Sequence, residues 1–279
     1  MAISFQEHNH EYKSLDPADN ITWLGVTTFV SQFKPKFDAP MQALKSSKNK
    51  KSKWYGMDPI VIQQMWTNEG ERGMGLGTFY HNQREADLIS LDSIQRLGRQ
   101  IPIIKPLMEG DLKIAPPQNL TEGIYPEHMV YLKSAGICGQ SDRVEVVQNT
   151  VDIIDYKTNK EIKLKGYTNW EGISSKMIGI MSHLDDCEFN HYALQLSLYM
   201  YIILKHNPKY NPGKLQIQHI IFEREGVDKF GYPITKLSPN GDPIVKEIVP
   251  YDLPYLKDEV RNMINWLHEH PEVRIKKKN

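Results

Sequence analysis

The sequence predicts an α/β domain in which helices flank a central mixed β-sheet, and three observations carry that expectation. Helical patterns fill the chain up to Leu91, and strand patterns follow from Glu127 to Lys157. A segment apolar nearly all round (HYALQLSLYMYIILK, residues 191–205) then reads as a buried helix, with more strands and an amphipathic helix after it. Helices on both sides of a strand block imply layers packed on a sheet. The length of 279 residues suffices for a sizeable core. We expect one domain over 1–279, with a helical and basic segment at 1–57 and a core at 58–279 that carries an insertion at about 160–190.

Taken in order, residues 26–45 (VTTFVSQFKPKFDAPMQALK) read as two short helices interrupted at Pro35. The basic run Lys45 to Lys53 (KSSKNKKSK) reads as a solvated loop, compatible with phosphate contact. Asp58-Pro59 combines an N-cap with a first-turn proline and opens a helix towards Arg72. The glycines of GERGMGLGT are expected to end it, with Thr78 capping a second helix to about Leu91. On that helix His81 and Glu85 lie four residues apart and share a face. Residues 100–122 are Pro-rich and read as irregular. Strands are expected at Glu127–Lys133, Gly139–Gln148 and Val151–Lys157, then at Leu215–Glu223. Residues 234–237 and 244–249 flank Asn240-Gly241 as a hairpin, and a helix over residues 252–268 closes the chain.

Composition bounds the function. Lys plus Arg and Asp plus Glu are 34 each, so bulk charge gives no support to nucleic-acid binding and leaves the matter to local patches. Two cysteines, Cys138 and Cys187, are too few for a disulfide framework or for four-thiolate ligation of an iron–sulfur cluster. No apolar run reaches the roughly 20 residues of a membrane helix. The N-terminus (MAISFQEHNHEYKSLD) lacks the pattern of a signal or transit peptide, so the expectation is a soluble cytoplasmic protein without a membrane partner. Trp54, Tyr55, Trp66 and Trp170 are read chiefly as core aromatics, and the basic tail Arg274–Lys278 as a frayed end.

The chemistry lies in Gly139–Lys157, GQSDRVEVVQNTVDIIDYK. A two-residue loop at Asn149-Thr150 pairs Gln148 with Val151, which sets Val144 opposite Asp155 and Asp142 opposite Lys157. Side chains alternate along a strand, so Asp155 and Lys157 share a face and Asp142 joins them from the partner strand. Two carboxylates and an ammonium then converge over Val144, Val146, Val151 and Ile153. Phosphodiester hydrolysis needs a hard divalent cation, and two carboxylates with the Tyr156 carbonyl offer it oxygen ligands. A lysine beside them can orient water or stabilise transition-state charge. An isolated Asp-x-Lys is more often a surface ion pair worth under ~1 kcal/mol.

Further blocks, in a fixed order, distinguish this chain. Val-Thr-Thr-Phe (Val26–Phe29) precedes GTFYHNQRE (Gly77–Glu85). Then come Gly-x-x-Asp-Arg-Val (Gly139–Val144), Asp-Tyr-Lys-Thr (Asp155–Thr158) and Gln-Leu-x-x-Tyr (Gln195–Tyr199). On these blocks the sequence resembles the RecB-type branch of the PD-(D/E)XK nuclease superfamily, in particular the mitochondrial genome maintenance exonuclease-like group, as a phage or bacterial member. The resemblance implies a restriction-endonuclease-like core and a Mg²⁺- or Mn²⁺-dependent deoxyribonuclease using one or two ions. It implies His81, Asp142, Asp155 and the Tyr156 backbone carbonyl as metal ligands and Lys157 as the catalytic lysine. Glu85 would tune the histidine or a second metal. Gln195, Tyr199 and Thr158 would contact substrate, and Glu127 stands where relatives place another acid. Ser141 replaces the proline of the superfamily's name.

The activity so implied is an exonuclease on single strands or free duplex ends of DNA, in replication, recombination or repair. Other proteins of replication or recombination would be its partners, and the host cytoplasm its setting if phage-encoded. A structure-specific endonuclease and a non-catalytic DNA-binding recombination scaffold are the alternatives.

Overall fold

The computed structural model describes residues 3–6 and 11–274; the tail beyond Arg274 lies outside them. The chain begins with β1 (Ile3–Gln6) and β2 (Glu11–Ser14), and β3 (Leu24–Gly25) leads into α1 (Val26–Ser31), α2 (Ala39–Lys48) and α3 (Pro59–Ile89). Two small hairpins follow, β4 (Ser93–Arg96) with β5 (Arg99–Pro102) and β6 (Leu107–Glu109) with β7 (Leu112–Ile114). The meander β8 (Gly123–Leu132), β9 (Ile137–Val147) and β10 (Thr150–Lys157) forms the centre. After residues 158–187, which carry one 3₁₀ turn at Gly179–Met181, come α4 (Glu188–His206), β11 (Asn211–Phe222), β12 (Arg224–Val227), β13 (Pro233–Thr235), β14 (Val245–Leu253) and α5 (Lys257–Glu269).

The expected α/β architecture with a mixed sheet is present. The main sheet runs β14-β11-β10-β9-β3, with β8 also paired to β9. β10/β11 and β3/β9 are parallel, and the remaining pairs are antiparallel. The core lies on one face of this sheet. Val144, Val146, Val151 and Ile153 pack there with Leu194, Leu198 and Ile202 of α4, together with α1 and α5. α4 is buried along most of its length because both its flanks meet protein, which explains its all-round apolar sequence. On the opposite face Tyr80 of α3 packs edge-on against Tyr156.

Several expectations are corrected. Helix α3 does not end at the glycines: it runs unbroken for 31 residues, so Thr78 lies inside it rather than capping a second helix. None of Gly70, Gly73, Gly75 or Gly77 takes a positive φ, so each merely costs about 1 kcal/mol against alanine, and packing holds the helix. Its start is as expected, with the Asp58 carboxylate accepting from Ile60 N at 2.7 Å and Pro59 in the first turn. The basic run is loop only from Asn49 onward, since Lys45 and Lys48 belong to the last turn of α2. Residues 99–114 hold short strands, and β7 pairs with β1 at the N-terminus. The Asn240-Gly241 hairpin shrinks to one bridge, Leu237–Pro243, because β13 pairs with β12 and β14 with β11. α5 starts at Lys257, since β14 holds the chain extended to Leu253.

Candidate active site

The central hairpin turns at Gln148-Asn149, one residue earlier than expected, with Gln148 in the left-handed region (φ 56). Val151 therefore pairs with Val146 and Ile153 with Val144, which replaces the expected pairing of Val144 with Asp155. The offset is two residues, and strand periodicity is two, so the same side chains still face the core. What changes is the geometry of the open end. The β9–β10 pairing stops at Ile154–Arg143, while β3 takes up the same edge of β9 only at Ile137 and Cys138. Between those limits, residues 139–142 have no strand neighbour on that edge among the described residues. Asp142 and Asp155 stand at the fork where the two strands part.

The fork is tied by hydrogen bonds. The Asp142 Oδ2 accepts from the Tyr156 backbone N–H at 2.7 Å and lies 3.3 Å from His81 Nδ1. The other ring nitrogen, Nε2, is 3.0 Å from the Tyr156 carbonyl. Both partners of the imidazole are acceptors, so the ring donates from both nitrogens and is a cation in the metal-free protein. Burial opposes this, but the Asp142 hydrogen bond and charge outweigh it, and the His81 pKa rises to about 9. The Tyr156 carbonyl, expected as a ligand, is engaged by His81.

Asp155 is 1 % exposed. Its Oδ2 lies 2.5 Å from Lys157 Nζ and its Oδ1 accepts from Gln195 Nε2 at 3.4 Å. Burial, then the charge of Asp142, push its pKa up to about 6 despite Lys157. The same partners act on Asp142 in the other direction: burial raises it, yet His81 and Lys157 hold its pKa below the usual range. Burial works against the Lys157 ammonium, but Asp155 and Asp142 hold its pKa above the ordinary lysine value.

Glu127 completes the cluster. β8 and β9 pair at Pro126–Arg143 and His128–Ser141, and Glu127 and Asp142 fall between these pairs. Glu127 adopts φ 48, a left-handed backbone costing about 1–3 kcal/mol in a residue with a side chain. Gln140 donates a hydrogen bond to its carboxylate. Burial and the negative charge of Asp142 raise its pKa to about 8. Ligand atoms of His81, Glu127 and Asp142 lie within 4.8 Å of one another. Asp155 is outside that trio, held instead by Lys157.

Tyr199 and Gln195 reach the fork from α4, with Gln195 Nε2 3.4 Å from the Tyr199 hydroxyl. The tyrosine explains Gly139, because a Cβ there would stand 2.7 Å from Tyr199 Cε1 and 3.3 Å from Val26. Gly139→Ala is expected to lower stability by about 1–3 kcal/mol through this overpacking, read as a lower Tm. Thr158 does not line the same cleft: it faces a neighbouring groove, 3.3 Å from where a Cβ on Gly77 would lie. Glu85 does line the cleft, of about 450 Å³, but is bound by Lys113 at 3.1 Å rather than by His81. Lys113 and Gln140 are the residues sequence reasoning missed. Lys113 sits on β7 in a stretch with no strand pattern, and Gln140 occupies an unassigned position of the Gly-x-x-Asp block.

These shifts predict a pH dependence. Glu127, Asp155 and His81 all have folded pKa values raised above their unfolded ones. Each contributes stability that is full below the unfolded value and is lost as pH rises through the folded value, at about 8, 6 and 9 respectively. Asp142 acts oppositely, but only at acid pH below the normal carboxylate range. The metal-free Tm is expected to fall by roughly 3–8 °C between pH 5 and 9. In Glu127→Gln the part lost between pH 4.5 and 8 should disappear. A slope unchanged by that substitution would show that Glu127 is ionised throughout.

No family model matches the chain, and no curated protein matches it. Among solved structures, the crystal structure of SSO0001 aligns with a TM-score of 0.31 and 13% identity, over 92% of this chain and 80% of that one. A likeness of that level carries no argument about either fold or activity.

Proposed function

We propose that this protein is a divalent-metal-dependent deoxyribonuclease with a restriction-endonuclease-like core, acting as an exonuclease on single strands or free DNA ends. The observation that supports this best is the fork itself, where His81, Glu127, Asp142, Asp155 and Lys157 meet although they come from four separate elements. Its chemistry fits a hard cation. Three carboxyl groups and one imidazole make an oxygen-rich donor set suited to Mg²⁺ or Mn²⁺. Burial and the charge of Asp142 lift Glu127 and Asp155 towards protonation, and Glu127 is held in a strained backbone conformation. Such a site carries more negative charge than it can stabilise alone, a condition that a bound cation relieves.

His81, Asp142 and Glu127 would hold the ion, with Asp155 beside them. A divalent cation there supplies Lewis-acid charge to a phosphodiester. The chain's own residues do the rest. Lys157 is a fixed cation lining the cleft, and its raised pKa makes it a stabiliser of phosphate charge rather than a base in the metal-free protein. Gln195 fixes the Asp155 carboxylate, and the Tyr156 N–H fixes Asp142. The test is cleavage of end-labelled linear single-stranded, linear duplex and circular DNA with Mg²⁺, Mn²⁺ or EDTA. Metal-dependent loss of linear forms alone is the expected result. Cutting of circles would make it an endonuclease, and binding without cleavage of any form would make it a scaffold.

A further inference from the structure

A second groove opens beside the cleft. It has a volume of about 540 Å³ and shares Met74 and Gly77 of α3 with the cleft that holds the fork, so the two adjoin. One wall is α3, and the other is the chain that leaves Lys157 through Thr158, Asn159 and Lys160. Its charged lining is Arg72, Lys160 and Arg224 against the carboxylate of Glu69. Glu69 is already neutralised, 2.7 Å from both Arg72 and Lys160. A positive surplus therefore remains, although the whole chain has zero formal net charge.

Aromatic rings lie in and beside this groove, Trp66 within it and Tyr232 in an adjoining pocket that shares Arg72, Pro233 and Thr235 with it. Trp66 lines the groove and packs on Phe37, which is 70 % exposed. Lys160 sits 4.2 Å from the centre of the Tyr232 ring, and Lys53 lies 4.3 Å from that same ring. Lys53 is anchored there by a 2.7 Å hydrogen bond to the Phe230 carbonyl. The basic segment that begins at Lys45 is thereby docked beside Tyr232 by its last lysine, 177 residues away in sequence from its partner. Cations spaced along a groove that also presents the Trp66 ring match the needs of an unstacked polynucleotide, whose phosphates and bases both require partners. A duplex keeps its bases stacked and presents no face to Trp66.

The geometry points to this groove as the track for a single-stranded polynucleotide that runs from the fork, past Lys160 and Tyr232, to the basic segment ending at Lys53. The inference rests on the nuclease reading and adds the route and the residues that hold the strand away from the reacting phosphate. It also accounts for two further features of the sequence. The glycines at 70 and 73 keep the α3 wall low, and a Cβ added to either would meet no atom within 4 Å. The last lysine of the run, Lys53, acquires a place rather than being merely solvated.

The test is fluorescence anisotropy with labelled dT20 and rU20 oligonucleotides in EDTA, where nothing is cleaved, over a range of salt. Gly73→Leu adds a side chain into open groove and favours the helix, so folding is retained. It is expected to weaken single-strand binding about 10-fold, a change comparable to losing one stacked base. Lys53→Ala and Lys160→Ala should each reduce the slope of log K against log salt by about 0.7, which a merely structural role would not do. The Mn²⁺-induced rise in Tm should persist in all three. Comparison of the two oligonucleotides shows whether the track takes DNA, RNA or both. Wild-type binding that none of the three variants alters would overturn the track and leave the nuclease reading standing. A wild type that neither binds nor cleaves any polynucleotide would sink both.

Discussion

Under the proposed nuclease function, Lys157→Ala is expected to lower kcat/KM for DNA hydrolysis by about 10³-fold, equivalent to about 4 kcal/mol of transition-state stabilisation. The ammonium lies 2.5 Å from Asp155 and lines the cleft. On the proposed reading, removing it takes away a mostly buried donor that would face developing phosphate charge, where the interaction is weakly screened. It also leaves Asp155 beside Asp142 without its closest opposing charge, so Asp155 is expected to hold its proton to higher pH. The protein should stay folded, because a carboxyl group that protonates carries no unpaired charge. Initial-rate measurements on linear DNA, alongside a melting curve, read both effects. Activity within ten-fold of wild type in a folded variant would remove Lys157 from the catalytic set.

Asp142→Asn should be as damaging by another route. Its carboxylate is the hub of the fork, receiving the Tyr156 N–H and lying against His81. Asparagine can preserve the first contact through its carbonyl oxygen, so the strands remain tied. It cannot supply charge to a cation. The expected result is loss of the Mn²⁺-dependent rise in Tm, which in wild type should correspond to about 2.7 kcal/mol when the ion is at 100 times its Kd. Activity should drop by about 10³-fold or more. A second readout separates this from simple damage. Without the Asp142 charge, Glu127 and Asp155 lose the repulsion that raises them and His81 loses the partner that raises it, so the fall of the metal-free Tm with pH should be shallower in the variant than in wild type. Retention of the wild-type Mn²⁺ response would show that the ion is held elsewhere. In the wild type the response should itself strengthen as pH rises towards 9, because His81 must give up a proton before it can act as a ligand.

Much of this was legible locally. The N-cap at Asp58, the buried helix around residues 191–205 and the convergence of Asp142, Asp155 and Lys157 follow from short-range rules of capping, periodicity and strand alternation. The convergence survived an error of one residue in placing the turn because the resulting offset is even, and an even offset leaves every side chain on its face. Other features were illegible for the same kind of reason. The glycines of α3 look like a terminator in isolation, yet Tyr80 and Ile62 bury the helix on either side of them and packing overrides propensity. The pairing of β1 with β7 joins residues more than a hundred positions apart, and neither strand carries a pattern that names its partner.

The sequence by itself determined the kinds of group present, the faces on which the strand residues lie, and the α/β layering that packs α4 on the sheet. Only the tertiary structure decided which acids meet. It placed Glu127 rather than Glu85 with His81 and Asp142, since Lys113 captures Glu85 and a left-handed turn of backbone swings Glu127 between two ladder pairs. It also parted β9 from β10 at Ile154, which opens the fork. These are outcomes of competition among distant partners for the same charges and the same sheet edge, and such competition has no counterpart in local sequence pattern.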